Sequence, residues 1–303
     1  MSAKGKLGNG TYPAPVVVAL STYNGERYLV ELLNSLLRQD YPNFRIVIRD
    51  DGSSDGTLAV INAYCSQHPG KVVRSHRLAG NVGVTRSFLS LLDYIEDGTY
   101  LMYCDQDDVW FDDKISTFLT RMREVECNGT TPALVFGDMM VTDQDLNVVA
   151  PSFWAYQRLD PNTASDWRRL MMSNVVTGCS SMCNSAAVVR LRSAPSLTVL
   201  HDHLTAIVVA RDGVVAALTK PTMFYRQHQS NVEGARAFGL RYLVGRLDYF
   251  LRVIVPRYRA MCEVFGVPLT LAAYFKFESV FRRLVRNRKG VVDGRSLNIK
   301  STS

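Results

Sequence analysis

Residues 100–110 read Y-L-M-Y-C-D-Q-D-D-V-W, an apolar run that stops at three carboxylates, Asp105, Asp107 and Asp108. Short continuous apolar runs suit strands buried on both faces, as in parallel sheets. Open α/β sheets bind their ligands at the rim where such strands end. Carboxylates this close together repel one another unless a cation or a set of hydrogen-bond donors compensates them. The stretch therefore predicts a buried strand that delivers an acidic cluster to a ligand-binding rim, with a divalent metal carrying a diphosphate as the expected occupant.

The chain upstream has the alternation that such a sheet requires. Residues 16–20 are continuously apolar and end in S-T-Y-N-G-E, after which Tyr28, Leu29, Leu32, Leu33, Leu36 and Leu37 recur at helical spacing. A second unit runs from a strand at 44–48 through R-D-D-G-S-S-D-G-T to a helix at 58–67. A short strand at 72–73, the loop Gly80-Asn81-Val82-Gly83 and a helix through Phe88, Leu91, Leu92 and Ile95 lead to the acidic strand. This pattern predicts an α/β fold with a Rossmann-like, mostly parallel central sheet flanked by helices.

Asp112 and Asp113 stand where they would cap the next helix, whose inner face is Ile115, Phe118, Leu119, Met122 and Val125. That leaves Asp105, Asp107 and Asp108 for another role. Strands are expected at 133–136 and 139–141, helices at 184–192 and 201–211, and a strand pair at 214–218 and 222–225. Phe153, Trp154, Tyr156 and Trp167, set among polar residues, read as a pocket-building region.

At 303 residues the chain can bury a large core. Its six cysteines are scattered without zinc-site spacing, which predicts reduced thiols in a cytosolic protein. The first residues lack the apolar stretch of a secretory signal, and no apolar run reaches membrane-spanning length. The net charge of +7 is uneven: from Arg236 onward fourteen Lys and Arg face four acidic residues, leaving −3 for everything before. In that basic part Phe238, Leu240, Leu243, Leu247 and Phe250 interleave with Arg241, Arg246 and Arg252, as in amphipathic helices that meet an anionic membrane surface. The same apolar faces would also serve to cover the catalytic part or to form a homodimer. With a slightly acidic remainder and no recognised nucleic-acid module, nucleic acid is not an expected partner.

Two other chemistries fail on spacing. Asp51 and Asp55 are four apart, not the two that a phosphohydrolase aspartate pair needs, and no G-x-G-x-x-G follows the first strand. Taken in order, S-T-Y-N-G-E, D-D-G-S-S-D-G-T, N-V-G-V-T-R-S and C-D-Q-D-D-V-W resemble the inverting family-two glycosyltransferases. The form D-Q-D-D-V-W with the later Y-R-Q-H-Q-S-N is similar to bacterial rhamnosyltransferases of O-antigen and cell-wall polysaccharide synthesis. The resemblance spans residues 16–234, about three quarters of the chain.

What the resemblance implies is specific. The fold is the family's GT-A type, with a catalytic domain at 1–235, nucleotide-binding over about 14–110 and acceptor-binding over about 111–235, followed by a basic helical segment at 236–303. Thr22, Asn24 and Asp51 surround the nucleoside with Asp50 beside them; Asn81, Gly83 and Arg86 line the same pocket, the arginine suited to the diphosphate. Asp105 and Asp107 form the D-x-D around Gln106. Asp107 is the first choice as ligand to Mg²⁺ or Mn²⁺, Asp108 is expected to face the sugar, and His228 completes the metal shell. Asp202, in His201-Asp202-His203, is the expected catalytic base, with His201 and His203 left as either acceptor contacts or surface residues. Asn174, Thr177, Gly178 and Cys179 resemble the family's sugar-binding stretch. The implied partners are a nucleotide sugar, dTDP-rhamnose above all or a UDP-hexose, and a saccharide acceptor carried on a lipid. The implied location is the cytoplasmic face of the inner membrane.

Overall fold

The computed structural model describes residues 14–126, 129–194, 199–228 and 255–267. The order is β1 (Val16–Thr22), α1 (Glu26–Leu37), β2 (Phe44–Asp50), α2 (Thr57–Gln67), β3 (Val72–Arg74), α3 (Val84–Ser90), β4 (Tyr100–Cys104), β5 (Val109–Trp110) and α4 (Lys114–Val125). There follow β6 (Ala133–Gly137), β7 (Met140–Thr142), β8 (Val148–Ala150), α5 (Phe153–Gln157), α6 (Trp167–Leu170), β9 (Ser181–Cys183), α7 (Ser185–Arg192), α8 (His201–Asp212), β10 (Val214–Leu218), β11 (Met223–Arg226) and α9 (Val255–Phe265).

Seven strands make the central sheet in the order β10-β6-β9-β4-β1-β2-β3. All neighbours are parallel except β9, which runs antiparallel to both β4 and β6. The apolar runs follow from burial on two faces. Val17 and Ala19 of β1 enter one layer with Phe88, Leu91 and Ile207, while Val16, Val18 and Leu20 enter the other with Leu29, Leu32 and Leu36. Each fully buried leucine of α1 contributes about 1.5–3 kcal/mol by leaving water.

A second sheet, β5-β11-β7-β8, stands beside the acidic end of β4. This corrects the expected strand pair: β10 joins the central sheet beside β6, whereas β11 lies between β5 and β7 in the smaller one. The short strands β5, β8 and β9 were not expected, because two or three residues give no readable period. Helix capping by Asp112 and Asp113 also fails. Asp113 holds the N-cap position of α4 without a side-chain cap bond and pairs with Lys220, and Asp112 pairs with Arg38.

Helix α9 packs on one face of the central sheet's core, burying Met261 and Cys262, with the Phe265 ring 6.0 Å from that of Trp167. The rest of the basic segment, including residues 238–252, lies outside the described residues, as do Ser230, Asn231 and Cys127. Among the described residues no helix is long and apolar enough to cross a membrane, and Cys65, Cys104, Cys179, Cys183 and Cys262 are free thiols.

Candidate active site

Strands β1, β2 and β4 end together, so their following loops share one rim. The loop after β4 turns back into β5, and this turn folds the acidic residues inward. Ligand atoms of Asp105, Asp108 and Cys179 all lie within 4.8 Å of one another. Asp108 is 1% exposed; its Oδ1 accepts the Arg226 amide at 3.2 Å, and its Oδ2 is buried with no hydrogen-bond partner among the described residues. Asp107 points to a separate partner, with Oδ2 2.8 Å from His228 Nε2. The His228 ring in turn stacks on Tyr28 with centroids 4.8 Å apart.

Burial, reinforced by Asp107 and Asp202, pushes the Asp105 carboxyl up to about 7, and burial with its acidic neighbours pushes Asp108 well above the carboxylate range. Crowded carboxyls whose ionisation is opposed in this way are a natural cation site. A donor set dominated by oxygen, with one imidazole beside it, suits Mg²⁺ or Mn²⁺ better than a thiolate-rich set would. The residues present therefore fit a divalent ion. Beneath them Lys114 is fully buried; its Nζ donates to the Cys179 carbonyl at 2.7 Å and to Met223 Sδ at 2.8 Å, and lies 4.1 Å from the Trp110 ring centroid. Burial pulls its ammonium down to about 8.

The neighbouring loops are braced by the side chains expected at the nucleoside. Asp50 Oδ1 accepts from the Thr22 and Ser53 hydroxyls, and its Oδ2 accepts from the amides of Gly52 and Ser53. Asp51 is buried, accepting from Arg49 Nη1 at 2.5 Å and from the amides of Val82 and Gly83 at 2.8 and 2.9 Å. Arg49 also donates to the carbonyls of Leu78 and Gly80, tying β2 to the loop that holds Asn81. Asn24 adopts φ 49°, a left-handed conformation that Asn tolerates, and its Oδ1 receives the Ser54 amide. Gln106 bridges to Tyr23, accepting its amide and donating to its carbonyl. Asn81 and Arg86 are exposed, and Gly83 has φ 82°, a turn that favours glycine.

Asp202 lies in the first turn of α8, where the helix dipole favours negative charge; the N-cap position itself belongs to Leu200. Its Oδ2 accepts the Gly178 amide at 3.3 Å and its Oδ1 the His203 amide at 2.6 Å. A Cβ on Gly178 would sit 2.8 Å from His201 Nε2 and 3.2 Å from Asp202 Cβ, so this approach requires glycine. Asn174 bonds within its own loop to Val176, and Thr177 leads into the tight turn Gly178–Ser180. His203 Nε2 is 2.6 Å from the Leu170 carbonyl.

His201 is not a surface residue. It is 5% exposed, stacked on Phe88 at 3.9 Å and edge-on to Tyr103 at 4.7 Å. Burial pulls its imidazole down to about 3, so the folded protein keeps it neutral where the unfolded chain, near 6.5, takes up a proton. Stability from this residue is therefore lost as pH falls below about 6.5, by up to about 1.4 kcal/mol per pH unit. His201→Phe, which keeps the stack, should flatten the fall in melting temperature between pH 7 and pH 5; an unchanged slope would show that other groups govern it.

Sequence reasoning missed Lys114, Arg226, Arg49 and Glu31. For Lys114 a signal existed, since positions 114, 115, 118 and 122 share the inner face of α4. For Arg226 the signal was its place in Y-R-Q-H-Q-S-N, two residues before His228, but its partners are distant in the chain.

The sequence profile described as Glycosyl transferase family 2 matches residues 17–184. The chain is 26% identical over 228 residues to dTDP-rhamnosyl transferase RfbG of Shigella flexneri, covering 71% of this chain and 74% of that protein. It is 37% identical over 93 residues to poly(ribitol-phosphate) beta-N-acetylglucosaminyltransferase TarS of Staphylococcus aureus (strain Mu50 / ATCC 700699), covering 30% of this chain but only 16% of TarS. Among solved structures, TarS 1-349 from S. aureus in complex with UDP-GlcNAc matches with a TM-score of 0.53 at 20% identity, over 72% of this chain and 60% of that one. Mannosyltransferase PcManGT from Pyrobaculum calidifontis, in complex with GDP-Man and Mn²⁺, matches at 0.53 and 15% identity, over 91% of this chain and 81% of that one. The two structural likenesses bear on the fold, and it is the GT-A architecture that the motifs implied. Matched by the profile over more than half its length, this chain belongs to Glycosyl transferase family 2.

Proposed function

We propose that this chain is a metal-dependent inverting glycosyltransferase that moves L-rhamnose from dTDP-β-L-rhamnose to a lipid-linked or polysaccharide acceptor. The observation that carries the reading is the meeting of two unlike acidic groups at one rim: Asp202, presented by α8 and held by the Gly178 amide, and the buried cluster whose Asp105 feels the charge of Asp202. The similarity to RfbG over most of both chains supports rhamnose as the sugar and dTDP as the carrier.

In this reading Thr22, Asn24, Asp50, Asp51, Asn81 and Gly83 form the nucleoside pocket, Arg86 meets the diphosphate and Gln106 stands toward the donor sugar, whereas Asp108, expected to face the sugar, is buried beside Asp105 and Cys179 and bonded to the Arg226 amide. Asp107, Asp105 and His228 hold Mg²⁺ or Mn²⁺, which when bound supplies positive charge to the departing diphosphate. Asp202 accepts the proton of the acceptor hydroxyl as that oxygen bonds to the anomeric carbon, and the bond from this carbon to the diphosphate breaks. One displacement inverts the centre, so a β-linked donor gives an α-L-rhamnoside. The basic segment at 236–303, apart from α9, which packs on the core, meets the anionic cytoplasmic surface of the inner membrane, where a lipid-linked acceptor resides.

A UDP-linked hexose or N-acetylhexosamine is the second reading, favoured by the 37% identity to TarS over 93 residues. Thermal melting with dTDP-L-rhamnose, UDP-GlcNAc and UDP-glucose, each with and without Mn²⁺, separates the two. A ligand at a hundred times its Kd adds about 2.7 kcal/mol of stability. The largest Mn²⁺-dependent rise is expected with dTDP-L-rhamnose; a larger rise with a UDP sugar overturns the donor assignment, and no rise with any of them overturns the enzyme reading.

A further inference from the structure

Arg226 is 3% exposed at the end of β11 and reaches several parts of the candidate site. Its amide donates to Asp108 Oδ1, and its Nε donates to the Asp107 carbonyl at 2.8 Å. Its two terminal nitrogens donate to the Gln144 carbonyl, in the turn between β7 and β8, and to the Glu31 carboxylate on α1. The guanidinium also lies 4.6 Å from the centroid of Tyr28, the ring on which His228 stacks. One side chain thus fixes the backbone of Asp107 and the seat of its partner, His228.

We propose that Arg226 is the positioning residue that holds Asp107 and His228 at their 2.8 Å separation, and thereby sets the divalent-cation affinity of the site; this rests on the metal reading of those two residues. A guanidinium is suited to the task because its planar fork offers donors at fixed angles to acceptors on three different elements, which an ammonium does not. Outer residues that orient metal ligands typically govern affinity by 10–100-fold. Glu31 neutralises the arginine from the solvent side, its side chain being 51% exposed.

The test is Mn²⁺ titration, read by electron paramagnetic resonance, on wild type, Arg226→Lys and Glu31→Gln in the presence of dTDP. Arg226→Lys should weaken Mn²⁺ binding about tenfold or more. Excess Mn²⁺ should then restore dTDP binding, whereas a purely structural defect would lower the melting temperature and the active fraction without changing the Mn²⁺ dependence. Glu31→Gln should give a smaller loss, about two- to fivefold. A folded Arg226→Lys that binds Mn²⁺ within twofold of wild type overturns the proposal, and if that variant does not fold, unchanged affinity in Glu31→Gln does so. Wild-type protein that takes up no Mn²⁺ sinks the metal reading and this proposal with it.

Discussion

Asp202→Asn should abolish transfer while leaving donor binding near that of wild type. The amide oxygen can still accept one of the two backbone N–H groups that meet Asp202, from Gly178 or from His203, and the other turns to water, so the fold is kept but the group no longer takes a proton. Positioned bases contribute about 10²–10⁴-fold to such reactions, so kcat should fall about a thousandfold with the donor KM changed little. Near-normal turnover would place the base elsewhere. His203, with its ring at the Leu170 carbonyl, would then be the next residue to examine.

Asp107→Ala should act on the other half of the reaction. It removes a carboxylate from the cation site and leaves His228 without that partner, so metal-dependent donor binding should weaken about a hundredfold or more. Calorimetry with the nucleotide sugar, with and without Mn²⁺, measures this directly. The metal-dependent increment should disappear while the metal-independent part stays. Were donor affinity and its Mn²⁺ dependence both unchanged, Asp107 would not be a ligand. The pair of variants separates the two roles, one lost mainly in kcat and the other in binding.

How far these residues were legible depends on the range of the forces that place them. The strand at 100–104 and the helix after 26 were readable because their burial is periodic or continuous over five or more residues. The short strands were not: β5, β8 and β9 are two or three residues long and owe their conformation to partners up to 115 positions away, as when Val109 pairs with Phe224. Asp113 illustrates a local rule losing to a distant contact, since a residue at a cap position pairs instead with Lys220. His201 shows the same in a site residue. Sequence offered it as a substrate contact or a surface group, and aromatic neighbours from α3 and β4 bury it instead. The pairing of Asp107 with His228 was legible, but the Val82 and Gly83 amides on Asp51 and the Arg226 contact to the Asp107 carbonyl were hidden, because backbone groups leave no signature in composition.

The reversed strand β9 has a consequence for the order in which the molecule is assembled. Strand β4 is flanked by β1, already synthesised, and by β9, made some 80 residues later, and β9 also links β4 to β6 within the sheet. Until residues 181–183 leave the ribosome, the first four strands present an open edge beside their most acidic end, and β6 has nothing to join. Three residues thus act as a keystone, and the turn just ahead of them carries Gly178, which holds Asp202. The edge beside β4 is therefore closed before the site is complete, since Asp202, Arg226 and His228 all follow β9 in the chain.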